Sequence, residues 1–458
     1  MSTNIQKNQI TEGIIWRQLL LFFFPILLGT FFQQLYNTID SVIVGQFVGK
    51  EALAAVGGSS AQIVAFVVGF FTGLSSGASV TIAQFFGAKD SRSANKGLHT
   101  AYAIAAFGGL ILTVSGIILT PFLLEMMNTP ADIVADSAVY LRIYFAGIIF
   151  VLIYNMGSAI LRATGDSKRP LYYLIVCCII NIVLDVLFVI VFHVGVMGVA
   201  VATLIAQAVS AVLVTLKLMR SEGILKLSVK QIRFHGSILK MQLKLGLPTG
   251  FEAILFSITN IAIQSAVNTF GTDTTAAWSA YGKLDAIFWM VSTAFGIAIT
   301  TFVGQNYGAG KMDRVRKSTR VCLLMDFIVS AVLVVFLIAA RFLLFRLFTN
   351  DSHVIEIGCD MLVLITPWYI VYVFIEVIAG ALRGVGNVVV PVAITLLGVC
   401  VLRIAWLAAM LKISPTISAI ILSYPVTWVI TALAFIIYYI YITHKTIAGS
   451  SKKHVPKL

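Results

Sequence analysis

Charged side chains are scarce in this sequence, and their scarcity excludes an ordinary soluble domain. Only 11% of the 458 residues are Asp, Glu, Lys or Arg, whereas soluble domains contain about 25%. Apolar residues make up 59% of the chain, and the mean hydropathy is +0.98. Among the charged residues the acidic ones are fewer, with 19 Asp and Glu against 32 Lys and Arg. The composition therefore predicts an all-α integral membrane protein that carries no soluble domain of useful size.

The sequence also lacks the patterns of disulfide-rich, zinc-binding and catalytic proteins. Its five cysteines form no CxxC pair, which speaks against a disulfide framework and a zinc site. It contains no HExxH, phosphate-loop or GxSxG motif, and its six histidines lie in loops or beside apolar runs. No small-residue cleavage site follows the first apolar run, so this run is predicted to remain as a membrane span. We expect neither an enzyme nor a bound cofactor.

Twelve apolar runs are bounded by charge, Gly or Pro, and each is long enough to cross a bilayer as a helix. They lie near residues 16–44, 53–82, 98–124, 134–160, 170–192, 195–219, 240–269, 275–303, 320–345, 355–381, 388–411 and 416–442. The sequence thus predicts twelve transmembrane helices.

The basic residues are clustered in alternate connections between these runs. If the N-terminus, with Lys7 and Arg17, is cytoplasmic, 25 of the 32 Lys and Arg fall on the cytoplasmic side. This distribution follows the positive-inside rule and predicts a multi-pass cell-membrane protein with both termini in the cytoplasm. It also explains the net charge of +13 without a nucleic-acid partner.

The two halves of the sequence repeat each other. The segment AQFFGAKDSRSANKG (83–97) aligns with GQNYGAGKMDRVRKS (304–318), and LRATGDSKRP (161–170) aligns with LRGVGNVVVP (382–391), both at an offset of 221 residues. Pro25 corresponds to Pro248 at an offset of 223. The chain is therefore predicted to consist of an N-lobe at 1–220, a basic cytoplasmic linker at 221–237 and a C-lobe at 238–458. Six helices in each lobe give both lobes the same orientation, related by a pseudo-two-fold axis along the membrane normal, as in alternating-access transporters.

Two carboxylates in the N-lobe are predicted to share one depth in the membrane. Asp185 lies 15 residues beyond Pro170, about 22 Å into the bilayer, and Asn181 is one turn earlier on the same face. Thr203 and Asp40 are also placed in the outer half of the membrane, on the sixth and first helices. Ionisable groups at such depth are costly, which makes them functional candidates.

This set of oxygen donors suits either a sodium ion or one proton shared by two carboxylates. In the structural alternative, Asn181 and Asp185 bridge neighbouring helices, and Thr203 bonds its own backbone. The second half offers a comparison, because the corresponding positions are Ala262, Leu402, Trp406 and Tyr424. Loss of the donors from one copy favours function over a structural role.

The segment FPILLGTFFQQLYNTIDSVIVGQFVGKEALAAVG (24–57), the two Q-x-x-G-A loops and the LRATGDSKRP and LRGVGNVVVP segments together resemble the multidrug and toxic compound extrusion (MATE) family of bacterial efflux transporters. The resemblance covers essentially the whole chain. It implies a monomeric antiporter of two six-helix lobes that exports organic cations in exchange for Na⁺ or H⁺. It places the family's cation site at Asp40, Asn181, Asp185 and Thr203, and makes Pro25 a hinge candidate.

One departure from the family pattern concerns the C-lobe. The NorM branch has carboxylates on helices 7 and 10 where this chain has Phe256 and Tyr372, with Glu252 and Glu376 one turn away. The departure favours the DinF-like or MepA-like branches. Glu252 and Glu376 are expected either to bind cationic drug or to pair with Lys283 and Arg403. Candidates for substrate contact or a polar role in the C-lobe are Gln34, Tyr36, Asn37, Glu252, Lys283, Asp285, Glu376 and Arg403.

An alternative function is an ion-coupled flippase of lipid-linked precursors from the same superfamily. Such a protein needs several cationic side chains in its central cleft to bind an anionic headgroup. The spans of this sequence offer only Lys283 and Arg403 for that purpose.

Overall fold

The computed structural model describes residues 9–449 and the side chains of residues 10–444, and all regular secondary structure in this part of the chain is helical. Twelve of its helices are long and apolar enough to span a membrane, which confirms the predicted fold class. We number them as α1 (Ile15–Phe47), α2 (Lys50–Gly87), α3 (Ser91–Met126), α4 (Val134–Ala163), α5 (Lys168–Val191), α6 (Val196–Met219), α7 (Gly236–Asn268), α8 (Thr272–Gly308), α9 (Met312–Ala339), α10 (Ser352–Gly384), α11 (Val389–Ile413) and α12 (Ile417–His444). Lys7 and the basic residues after 449 lie outside the described part.

Helix α3 extends beyond its apolar run because a polar residue caps its start. α3 begins at Ser91, seven residues before the apolar run at 98, since the Asp90 side chain accepts a hydrogen bond from the Ser93 N–H at 3.0 Å. This N-cap satisfies one of the free amides of the first turn. The result is an extra polar stretch of α3 that carries Arg92, Asn95 and Lys96.

The chain divides into two compact units. The N-terminal unit comprises Phe22–Ala253, and the C-terminal unit comprises the described residues up to Leu21 together with those from Ile254 onward. Both boundaries fall inside helices, the first within α1 and the second within α7. The lobes expected at 1–220 and 238–458 remain a prediction.

Inside the N-terminal unit, α2 approaches the first half of α7 at backbone distance. A Cβ atom on Gly73 would meet the main chain of Gly250, and one on Gly77 would meet the main chain of Gly246. Small residues on one helix face allow such close packing in membrane proteins. The hydrophobic core of this unit includes Leu98 of α3, which has no exposed surface.

The C-terminal unit has an aromatic core. The Phe288 ring stacks on the Tyr369 ring at a centroid distance of 3.9 Å, and Trp428 is 1% exposed beside them. The residues that precede α1 are held by the start of α9, because the Arg314 guanidinium donates to the main-chain oxygens of Ile10 and Gly13. That arrangement makes the beginning of the chain part of this unit.

Candidate functional site

Helix α5 supplies two of the predicted polar side chains. Asn181 and Asp185 are four residues apart and therefore lie on one helix face. Both are buried, with 1% and 0% of their surface exposed. A π-helical turn, Val186–Val191, follows Asp185 directly. Such turns often occur at functional sites because they redirect the residues beside them.

Helices α1 and α6 bring the other two predicted residues to the same place. The Asp40 carboxyl interacts with the side chains of Asp185, Asn181 and Thr203. The Asn181 Nδ2 group donates to Thr203 Oγ1 at 3.5 Å, the long limit of a hydrogen bond. Asp40 and Thr203 are each 7% exposed. Three helices of the N-terminal unit thus place four oxygen-bearing side chains together, which we call the carboxylate cluster.

The carboxylate cluster contains more acceptors than donors. Within the described residues, Oδ1 of Asp40, Oδ1 of Asn181 and both carboxyl oxygens of Asp185 are buried without a hydrogen bond of standard geometry. Buried polar atoms are normally paired, since an unpaired one costs about 1–3 kcal/mol. Two carboxylates at close range also repel each other. These oxygens fit a bound alkali cation, or a proton shared by the two carboxyls.

Four further polar residues lie beside the carboxylate cluster. Tyr36 was named from the sequence as a substrate candidate, and the other three were not predicted. Gln207 Nε2 donates to the Tyr36 hydroxyl at 3.3 Å, one turn along α6 from Thr203. From α4, the Tyr140 side chain interacts with both carboxyls and stacks against Tyr144 at 6.2 Å. Tyr residues at a spacing of four on an apolar helix resemble packing residues, so only Gln207 offered a clear polar signal.

The remaining N-terminal candidates differ in exposure. Gln34 and Asn37 are exposed on α1, and their main-chain oxygens accept hydrogen bonds from Thr38 and Ser41. Pro25 is buried in α1, and Glu252 is half-buried in the part of α7 that belongs to this unit. The carboxylate cluster, as defined above, does not include these four residues.

In the C-terminal unit, Asp285 is surrounded by donors. Its carboxylate accepts hydrogen bonds from the Tyr369 hydroxyl at 2.5 Å, the Trp289 Nε1–H at 2.7 Å and the Tyr281 hydroxyl at 3.2 Å. Arg403 is close enough to interact with it electrostatically. Asp285 is half-buried. With three donors and a cation nearby, its carboxylate is satisfied, unlike that of Asp185.

Arg403 itself is held by other side chains. Its Nη2 donates to Thr427 Oγ1 at 2.9 Å, and its guanidinium lies 4.0 Å from the centroid of the Tyr424 ring. It is 3% exposed. The hydrogen bond and the cation–π contact hold the guanidinium within the unit, although Nε of Arg403 is buried without a hydrogen bond among the described residues.

Glu376 has a partner that the sequence did not suggest. Its Oε1 accepts from Arg383 Nη2 at 3.0 Å, within helix α10, whereas the expected partners were Lys283 and Arg403. Lys283 is exposed on α8. A third acidic residue, Asp326, is fully buried, lies near enough to Glu376 to interact with it, and accepts from the Ser330 hydroxyl.

In the second half, two of the four positions that correspond to the carboxylate cluster hold aromatic residues, Trp406 and Tyr424. Trp406 donates its Nε1–H to the Ala419 main-chain oxygen at 2.8 Å, and Tyr424 stacks on Arg403. The corresponding region of the C-terminal unit thus contains two aromatic rings and the Arg403 guanidinium. The oxygen-rich cluster belongs to the first half.

Comparison with known proteins agrees with this architecture. The family model MatE matches residues 25–187 and 248–407. The chain is similar to the probable multidrug resistance protein YoeA of Bacillus subtilis, with 30% identity over 393 residues that cover 84% of each chain. It is also similar to the probable multidrug resistance protein NorM of Thermotoga maritima, with 27% identity covering 89% of this chain and 88% of that protein.

A solved structure with the same fold is that of a multidrug resistance MATE family transporter of the MOP superfamily, in an outward-facing conformation. The two chains superpose with a TM-score of 0.90 at 20% identity, over 97% of this chain and 99% of that one. This likeness shows a two-lobed helical fold.

Proposed function

The chain belongs to the MATE family of multidrug efflux transporters, and from this premise we propose that it is an antiporter driven through its carboxylate cluster. It is a multi-pass membrane protein and not an enzyme. In the proposed cycle it exports organic cations in exchange for Na⁺ or protons, with Asp40, Asn181, Asp185 and Thr203 binding the coupling ion. The DinF-like or MepA-like branch stays a prediction.

One observation carries the proposal: Oδ1 of Asp40, Oδ1 of Asn181 and both carboxyl oxygens of Asp185 are buried without a hydrogen bond of standard geometry within the described residues. A protein that kept these groups for stability alone would supply donors, as it does for Asp285. A site that exchanges its ion must instead remain unsatisfied when the ion leaves. The unpaired acceptors therefore support a transient cation or proton at this position.

The charges of Asp40 and Asp185 explain how ion binding would favour one conformation. Asp40 and Asp185 repel each other when both are ionised, and a bound Na⁺ or a proton on one of them removes this repulsion. The Asn181 carbonyl and the Thr203 hydroxyl supply neutral oxygen ligands beside the carboxyls. Ion binding then favours the conformation in which these side chains are drawn together, and only a difference in affinity between two conformations can drive a transport cycle.

Helix α1 is the proposed link between the carboxylate cluster and the conformational change. Pro25 lies 15 residues before Asp40, about 22 Å along the helix, and a proline leaves one backbone carbonyl of its helix without a hydrogen bond. A bend at Pro25 would move Asp40 relative to α5. We further propose that the protein is a monomer in the cytoplasmic membrane with both termini inside, in agreement with its basic connections.

The decisive experiment uses Asp40→Asn and Asp185→Asn in a drug-sensitive bacterium and in proteoliposomes. Both substitutions remove one charge with little change in shape, so export of a fluorescent organic cation under an imposed ion gradient should fall at least about tenfold. Sodium and proton gradients are applied separately, which identifies the coupling ion. Protein in the membrane is quantified for every variant.

Asp285→Asn is the matched control, because it removes a half-buried carboxylate that already has three donors. It should retain ion-coupled export. Full drug resistance in cells that carry either Asp40→Asn or Asp185→Asn would end the proposal, whatever the control shows.

The flippase alternative has less support from the described side chains. Of its two cationic candidates, Arg403 is already engaged by Thr427 and Tyr424, and Lys283 is a single exposed charge. An anionic headgroup would need more cations than these. Transport of a fluorescent organic cation, with no movement of an anionic lipid analogue, is the expected result.

A further inference from the structure

A second polar site lies in the N-terminal unit and shares no residue with the carboxylate cluster. It is a cleft of about 340 Å³ between the start of α3 and the segment that leads into α7. We call it the basic cleft. Its lining residues are Arg92, Asn95, Lys96, His99, Lys230, Gln231, Arg233 and His235.

The basic cleft is built by specific hydrogen bonds between α3 and the segment that leads into α7. Asn95 Nδ2 donates to the main-chain oxygens of Ile224 and Lys226, each at 3.2 Å. The Ser228 N–H donates to His99 Nε2 at 3.0 Å, and His99 Nδ1 lies 2.8 Å from the Asn95 main-chain oxygen. These bonds fix the segment on α3, so the cationic side chains of both are positioned together.

The charge of the basic cleft has one sign. Four of the eight lining residues are Lys or Arg, and none is acidic. Among the described residues, none of the four forms an ion pair within 4 Å, because the ion pairs of the chain lie elsewhere. Asp90, just before α3, accepts a hydrogen bond from Ser93 and interacts electrostatically with Arg92, and both interactions lower the pKa of Asp90. The lining of the basic cleft therefore keeps a net positive charge, and such a charge attracts an anion.

His235 lies within this positive potential. Burial, followed by the charges of Arg233 and Lys96, lowers the pKa of His235. The His235 ring is held between the Thr100 hydroxyl, 3.1 Å from Nδ1, and Arg233, whose Nε donates to Nε2 at 3.4 Å. An Nε2 that accepts from Arg233 belongs to a neutral ring. The anion would therefore be bound by the four Lys and Arg side chains.

An apolar surface adjoins the basic cleft. Phe234, next to His235, is 46% exposed and meets Phe107 of α3, which is 56% exposed, edge to face at 5.9 Å. The basic cleft lies where two spans begin, α3 at Ser91 and α7 at Gly236. Cations above exposed aromatic rings at a membrane boundary match a lipid, whose headgroup is charged and whose chains are apolar.

We propose that the basic cleft binds the phosphate-bearing headgroup of an anionic phospholipid, with the lipid chains lying along Phe107 and Phe234. Phosphate is the shared chemistry of this ligand and of a soluble phosphate ester, and the exposed rings favour the lipid. The site is independent of the carboxylate cluster and of the proposed antiport.

The test uses the purified full-length protein and short-chain phosphatidylglycerol, with phosphatidylcholine as the uncharged comparison. Arg92, Lys96, Lys230 and Arg233 are changed together to Gln. Because each cation near an anionic lipid contributes about fivefold in affinity, the apparent Kd for phosphatidylglycerol should rise by at least about 50-fold. Phosphatidylcholine binding should not change.

The matched control removes four other exposed charges from the same region, by changing Arg220, Lys226, Lys240 and Lys244 to Gln. It should weaken phosphatidylglycerol binding less than threefold. Equal losses in the two quadruple variants would overturn the proposal, because diffuse positive charge would then explain the binding. If the first variant does not fold, Arg92→Gln with Arg233→Gln is compared with Arg220→Gln and Lys226→Gln.

A second arm separates lipid from soluble phosphate. Phe107→Ala with Phe234→Ala should weaken phosphatidylglycerol binding several-fold and leave the binding of inorganic phosphate unchanged. If inorganic phosphate binds as tightly as phosphatidylglycerol, and the Phe variants bind both normally, the lipid assignment is wrong. Binding of neither probe by the wild-type protein would overturn the site itself.

Discussion

At the scale of single residues, the carboxylates of Asp185 and Asp285 differ in their hydrogen bonds. Asp285 accepts three hydrogen bonds from Tyr281, Trp289 and Tyr369, whereas neither oxygen of Asp185 has a hydrogen bond of standard geometry among the described residues. The same residue type is therefore satisfied at one position and unsatisfied at the other. Substitution of the two residues should accordingly have different effects on stability.

Asp185→Asn and Asp285→Asn should consequently change thermal stability in opposite directions. Loss of the charge at Asp185 relieves an unpaired buried group and should raise Tm by several degrees in the absence of the coupling ion, since unpaired groups cost about 1–3 kcal/mol. The change at Asp285 weakens hydrogen bonds to a charged group, each contributing about 1.5–3 kcal/mol, and should lower Tm. Scanning fluorimetry in detergent measures both.

The ion response provides the control for this comparison. A ligand that binds only the folded state raises its Tm. Addition of Na⁺ or a change of pH should shift the Tm of the wild type and of Asp285→Asn, but not that of Asp185→Asn. A wild-type protein and an Asp185→Asn variant with identical responses would contradict the role of the carboxylate cluster.

The sequence predicted the main side chains of the carboxylate cluster because their signals are local. Asn181 and Asp185 share a face through their spacing of four, and polar groups stand out in an apolar helix. The bond between Gln207 and Tyr36 joins residues 171 positions apart, and no local pattern encodes such a pairing. The partner of Glu376 was missed because Arg383 lies seven residues on, two turns away on the same face, at the end of α10.

At the scale of helices, the close approach of α2 and α7 depends on glycine. Gly73 faces the Gly250 main chain, and Gly77 faces the Gly246 main chain, so neither neighbour can move aside as a flexible side chain would. Gly69 lies one turn before Gly73 on the same row, and its added Cβ would meet only the Ala253 methyl group, at 3.4 Å. The row thus contains two tight positions and one loose position.

Gly73→Ala and Gly77→Ala should each destabilise the protein by about 1–3 kcal/mol, the usual cost of overpacking. Gly69→Ala should change stability little, and it is the matched control on the same helix face. Thermal unfolding of the three variants in one detergent measures the differences. Equal Tm values for Gly69→Ala and Gly73→Ala would show that the two helices are not packed at backbone distance.

At the scale of the whole molecule, composition and periodicity were sufficient to predict twelve spans, and the structure confirms them. The length and hydropathy of an apolar run are enough to predict a membrane span, so this prediction does not require knowledge of tertiary contacts. Their ends could not be predicted, because caps such as Asp90 continue a helix into polar sequence. The unit boundaries inside α1 and α7 were likewise hidden, since no change in composition marks Leu21 or Ala253.

The predicted orientation can be tested with single cysteines. Lys50 lies in a connection expected outside, and Glu222 lies in one expected inside, and both are exposed. All five native cysteines are buried, so they should give little background. A maleimide that cannot cross membranes should label Lys50→Cys in intact cells, and label Glu222→Cys only after the membrane is opened. The reverse pattern would invert the topology.

The division of α1 and α7 between the units has a consequence for dissecting the protein. A fragment that stops in the linker before Gly236 would lack the stretch of α7 on which the glycines of α2 pack. The complementary fragment would lack the residues around Ile10 that Arg314 holds. Each half expressed alone would thus be short of a piece encoded by the other, and the two should accumulate in cells only when produced together.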